Sequence, residues 1–207
     1  MQAVLPNLYI SSWYHICRKN TLEDDGITHV LSVMTEVTEC PRLGPFKRMI
    51  IEVNDHPDEL LIDYFESATQ WIDDSMAEGG KVVVHWYISR SKNLAEDSLV
   101  GRSRSATIVA AYLMKRFVIG VEEAIERIQQ VRNIDPNPGF REQLQVYLDC
   151  NYVANTSKAA YRHWRLRQDT QFQKGTLYPK LLHNLRCHWE IWKARCRNLC
   201  NGRYSPS

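Results

Sequence analysis

Short apolar runs alternate with longer stretches of helical spacing through the first 150 residues. Positions 8–12, 28–34, 48–54 and 81–85 read as strands. The last contains Val82-Val83-Val84, the unbroken apolar run of a strand buried on both faces. Between the third and fourth strands, Leu61, Phe65, Ala68, Ile72 and Met76 recur at three- and four-residue steps, one face of a long helix that Gly79-Gly80 ends. Further helices are predicted over 105–117, over 121–133, and from Phe140, after the helix-incompatible Pro136-Asn137-Pro138-Gly139. This alternation predicts an α/β architecture: a central, mostly parallel sheet of four or five strands flanked by helices. Beyond Tyr152 the pattern changes, and Leu182, Leu185, Trp189, Trp192, Cys196 and Leu199 form a narrow apolar stripe on a basic helix. Such a stripe suits packing on its own domain, on a partner helix or on an anionic surface.

Charge sharpens that division. The net charge of +2 over 207 residues conceals a net of −7 over 1–150 and of +9 over 151–207. We therefore expect a domain at 1–150 and a basic, partly helical tail at 151–207. With 44% hydrophobic and 24% charged residues, collagen-like, disordered and disulfide-scaffold classes are excluded. No run approaches the roughly 18 apolar residues of a membrane span, so stable membrane insertion is not expected. The first ten residues lack the charged start and apolar stretch of a secretory signal, which predicts an intracellular protein, cytoplasmic or nuclear. There the six cysteines are expected as thiols or ligands rather than bridges.

The segment Gly101-Arg102-Ser103-Arg104-Ser105-Ala106-Thr107 falls between the buried strand ending at His85 and a strongly apolar helix. A strand-loop-helix junction aims backbone N–H groups and the positive end of a helix dipole at one point, a natural anion cradle. Gly101 allows close backbone approach, and the planar fork of Arg104 suits two phosphate oxygens. By itself a Gly-Arg-Ser-Arg string is weak evidence, since basic-serine strings are more often solvated surface. It lacks the Gly-Lys-Ser/Thr ending of a nucleotide-binding loop, which disfavours nucleoside triphosphates.

In context, the segment resembles the signature loop of the cysteine-dependent dual-specificity protein phosphatases, in which a Val-Val-Val-His strand is followed by Cys, five residues, Arg, and Ser or Thr. The likeness covers most of 4–150. Leu5-Pro6-Asn7-Leu8-Tyr9-Ile10 resembles the family's opening strand, and Gly26-Ile27-Thr28-His29-Val30-Leu31 its second. Asn54-Asp55 with Tyr64-Phe65 resembles its acid loop and the helix behind it. Tyr112-Leu113-Met114 and Asn137-Pro138-Gly139-Phe140 with Gln143-Leu144 complete the match. The resemblance implies a metal- and cofactor-independent phosphatase acting on phosphorylated protein. Asp55 would be the general acid, then base, with Asp58 its nearest rival and a plain surface carboxylate the alternative. Arg104 would bind phosphate, and Ser105 would assist breakdown of the intermediate or cap the helix. Leu99, Val100, Gly101, Arg102 and Ser103 would present backbone N–H groups, and His85 would order the loop or simply be a satisfied core histidine.

One departure is decisive for chemistry. Trp86 stands at the position of the family's nucleophilic Cys, and twelve residues, 87–98, separate it from the resumed loop at Leu99. Indole cannot attack phosphorus. The genetic code suggests an origin, because Trp86-Tyr87 reads TGG-TA, which contains the GTA of an intron start, and Asp97-Ser98 can read as an acceptor. Excision from the third base of codon 86 through the second base of codon 98 removes the length of twelve codons, keeps frame and leaves a Cys codon. Two readings stand: an unspliced intron in the gene, or a genuine insertion that makes a phosphatase-like binding protein without hydrolytic activity. In the tail, Cys187, His188, Cys196 and Cys200 offer four ligands, but without Cys-x-x-Cys pairs, so thiols rather than a zinc site are expected. The tail's charge suits an acidic partner or RNA.

Overall fold

The computed structural model describes residues 1–18, 20–35, 41–87 and 102–175. Five strands form one sheet: β1 (Gln2–Leu5), β2 (Leu8–Ser12), β3 (His29–Met34), β4 (Lys47–Glu52) and β5 (Val82–Tyr87), in the order β1-β2-β5-β3-β4. Only β1 runs antiparallel, joined to β2 through Pro6 and Asn7, whose positive φ of 68° suits the third position of a type II turn. Strand β5 pairs in parallel with β2 on one side and β3 on the other, and Val82, Val83 and Val84 are fully buried. The parallel strands therefore all end at the same edge of the sheet, the end at which loops in open α/β sheets gather ligands.

The described α-helices are α1 (Trp13–Ile16), α2 (Thr21–Asp24), α3 (Phe65–Ala77), α4 (Arg104–Phe117), α5 (Val121–Gln129), α6 (Pro138–Asp149) and α7 (Ala159–Gly175). Leu61, Phe65, Ala68 and Ile72 are buried together as their spacing predicts, although the first turn, Leu61–Tyr64, is 3₁₀ rather than α. Helix α4 is almost wholly buried from Arg104 to Met114, so the residue on which phosphate recognition would turn is seated in the core.

Two expectations are corrected. Helix α6 opens at Pro138, not Phe140, because proline at the first helical position gives up only an N–H that has no intrahelical partner, and Asn137 caps the turn with its side chain. The start of α4 is flanked by Ser103, so Ser105 lies inside its first turn and is not the cap.

By its packing the chain divides into Met1–Trp164 and Arg165–Ser207. The larger unit thus runs past the charge change at Cys150, with Tyr161 and Trp164 buried in its core. The apolar stripe from Leu182 to Leu199 and the tail's Cys187, His188, Cys196 and Cys200 lie outside the described residues. No helix among the described residues is long and apolar enough to cross a membrane.

Candidate active site

The site is built at the strand-end edge, where β5 gives way toward α4. His85, in register with Ser11 and Ser32, is fully buried. Ser32 Oγ lies 2.7 Å from its Nε2, and its Nδ1 lies 3.3 Å from the Trp86 carbonyl. Burial pushes the imidazole down to about 4, with Arg48 adding to the shift and the Trp86 carbonyl opposing it. A neutral ring meets both contacts in one tautomer: Nδ1–H donates to the carbonyl, and Nε2 accepts from the Ser32 hydroxyl. The histidine thereby fixes the backbone of the residue that follows it.

That residue is Trp86, in register between Ser12 and Val33. Its indole Nε1 is buried with no hydrogen-bond partner among the described residues. A buried donor left unmet costs about 1–3 kcal/mol. Leu99, Val100 and Gly101 lie outside the described residues. Arg102 and Ser103 lead into α4, whose first-turn N–H groups have no intrahelical acceptors.

Arg104 is 1% exposed. Its Nη1 donates to the Val53 carbonyl and to Thr35 Oγ1, each at 2.9 Å, and its Nε lies 3.8 Å from Asp55 Oδ2. Burial lowers the guanidinium from its ordinary value, while the carboxylates of Asp55 and Glu59 oppose the shift; a guanidinium remains charged through such a change. Asp55 is itself largely enclosed, with 11% of its side chain exposed. Asp58 instead faces solvent, 57% exposed and 3.5 Å from His56. Geometry therefore separates the two candidate acids, since only Asp55 meets the arginine.

The segment from Asp55 to Ile62 is held by α6. Asn137 Nδ2 donates to Asp55 Oδ1 at 2.9 Å, and Gln143 donates to the Glu59 carbonyl at 2.7 Å while accepting from the Ile62 N–H at 2.8 Å. Gly139 packs so close to Pro57 that a Cβ there would meet the Pro57 carbonyl oxygen at 2.0 Å. Ser105 is buried, and Ser103 Oγ accepts from the Asn137 N–H at 3.0 Å. Sequence reasoning gave no site role to Thr35, Val53 or Asn137. For Asn137 a signal existed, the Asn-Pro pair of a helix start; for Thr35 and the Val53 carbonyl none did.

The model of the dual specificity phosphatase catalytic domain matches residues 8–150. The tyrosine-protein phosphatase yvh1 of Schizosaccharomyces pombe is 32% identical over 173 residues, 83% of this chain; the match spans 48% of that relative's length. The serine/threonine/tyrosine-interacting protein of Mus musculus is 32% identical over 184 residues, 85% of this chain and 76% of the relative. The crystal structure of the human tyrosine phosphatase-like serine/threonine/tyrosine-interacting protein matches with a TM-score of 0.62 and 30% identity, covering 71% of this chain and 94% of that one.

Proposed function

Because the chain belongs to the dual specificity phosphatase family, we propose that its contiguous form, in which His85 is followed by Cys and then Leu99, hydrolyses phosphotyrosine and phosphoserine or phosphothreonine in proteins. The observation that carries this reading is the approach of Asp55 to Arg104: an acid and a buried cation, 49 residues apart in sequence, meet just past the ends of β3 and β4, and β3 lies beside β5 in the sheet. The indole N–H of Trp86, buried with no acceptor among the described residues, adds support.

The chemistry follows from the residues. A thiol at position 86 facing the first turn of α4 and Arg104 is stabilised as thiolate, below its ordinary value of about 8.5. It attacks phosphorus in line, the bond to the departing oxygen breaks, and Asp55 gives that oxygen a proton. The phosphocysteine is then hydrolysed by water that Asp55 deprotonates, with Ser105 stabilising the leaving thiolate. Arg104 holds two phosphate oxygens throughout, with bonds that strengthen as charge builds.

The test is p-nitrophenyl phosphate turnover by the chain carrying Trp86→Cys with 87–98 removed, against Trp86→Ser with the same deletion. We expect turnover in the first and none in the second; absence from both overturns the reading. The second reading, a binding protein without hydrolysis, is favoured by Trp86 in the chain as written. It predicts that the chain retaining Trp86 and 87–98 captures a phosphotyrosine peptide in fluorescence polarisation and that Arg104→Ala abolishes capture. Transcript sequencing chooses between the two, because a spliced message still encoding 87–97 leaves only the second.

A further inference from the structure

Asn137 uses every polar group it has apart from its carbonyl to join parts of the site. Its backbone N–H donates to Ser103 Oγ at 3.0 Å, just before Arg104. Its Oδ1 accepts from the Phe140 N–H at 2.9 Å, capping α6, and its Nδ2 donates to Asp55 Oδ1 at 2.9 Å. The cap settles the amide's orientation: an oxygen must face the Phe140 N–H, so the NH₂ must face the carboxylate.

We propose that Asn137 is the positioning residue that aims the general acid, an inference that rests on the reading of Asp55 given above. Asp55 Oδ1 is occupied by the amide, while Oδ2 is the oxygen that faces Arg104, 3.8 Å from its Nε. Since Arg104 marks where phosphate binds, the transferable proton is carried on Oδ2 and the amide bond on Oδ1 sets the plane of the carboxyl group. Without the amide the carboxyl rotates freely, and the proton is presented to the departing oxygen only part of the time. Asn137 touches neither substrate nor reacting atoms. It acts wholly through Asp55, and through the rigid start of a helix rather than a loop.

A general acid matters most where the departing oxygen is a poor leaving group, so the two roles of Asn137 separate by substrate. Phenyl phosphate releases a phenol resembling the tyrosine side chain, whose pKa is about 10, whereas p-nitrophenyl phosphate releases a far more acidic one that departs without a proton. In the contiguous form, Asn137→Ser keeps a side chain that caps well but does not reach Asp55. Asn137→Asp also keeps the cap, and turns an acceptor toward the carboxylate. For both variants we expect kcat/KM, which reports the steps up to departure of the phenol and not the later hydrolysis of the phosphocysteine, to fall roughly tenfold further on phenyl phosphate than on p-nitrophenyl phosphate. Adding Asn137→Ser to Asp55→Asn should bring no further selective loss. Equal losses of kcat/KM on the two substrates, beside a selective loss in Asp55→Asn, overturn this inference alone and leave Asn137 a helix cap. If Asp55→Asn shows no selective loss, or the contiguous form has no turnover, the reading of the site falls and takes the inference with it.

Discussion

His85 shows how much one residue in this site owes to burial. Folded, its imidazole stays neutral down to about 4, whereas in the unfolded chain it titrates near 6.5. Between those values the unfolded chain holds a proton that the folded chain does not, so stability rises with pH and is lost as pH falls through the window. The difference corresponds to about 3 kcal/mol of stability present above pH 6.5 and gone near pH 4. Thermal unfolding across that range should steepen in the natural chain relative to His85→Gln; parallel curves would show that the ring titrates normally. Residues of this kind were legible in sequence only as members of a motif. The histidine ends the Val-Val-Val-His strand, Arg104 stands in the part of the signature loop that resumes at Leu99, and Asp55 lies at the end of a strand. Their partners were not legible: Ser32 is 53 residues from His85 and Thr35 is 69 from Arg104, and no spacing rule reaches across a sheet.

Among elements, α6 carries more of the site than its position late in the domain suggests. Its cap, its second residue and its Gln143 each grip the segment from Asp55 to Ile62. Gly139 is the tightest of these contacts, and its backbone is not in the left-handed region, so a substitution there is opposed by Pro57 alone. Gly139→Ala should displace the acid loop, lower kcat of the contiguous form and cost about 1–3 kcal/mol of stability. An unchanged urea midpoint with unchanged turnover would mean that the Pro57 loop yields freely. The parallel strands were readable because β-branched runs flanked by turns have few alternatives. Strand β1 was not read as a separate element, being four residues long with an irregular register against β2. The start of α6 was misread for a related reason, since Pro138 looks like a breaker until its place as first helical residue is known.

At the scale of the molecule, charge and packing disagree about where the catalytic-type unit closes. The net charge changes sign near Cys150, yet Tyr161 and Trp164 lie in the core, and the Tyr161 hydroxyl donates to Asp63 at 2.6 Å, just before α3. Trp164 is 2% exposed, so Trp164→Ala should cost about 3–5 kcal/mol. A chain ended at Cys150 should melt well below one ended at Arg167; equal melting temperatures would return the boundary to the charge change. Charge reports what faces water, and two aromatic residues facing inward leave it unaltered.

The position of β5 has one more consequence. It is paired with β2 up to Trp86 and with β3 up to Tyr87, and α4 is buried from Arg104 to Met114. Each end of the joining segment is thus anchored by contacts with other described elements, and extra length adds closure entropy only logarithmically. Evolution is free to experiment at this junction without a veto from folding. Selection on stability acts only weakly on length there, and selection on phosphate chemistry is the stronger force keeping the loop short.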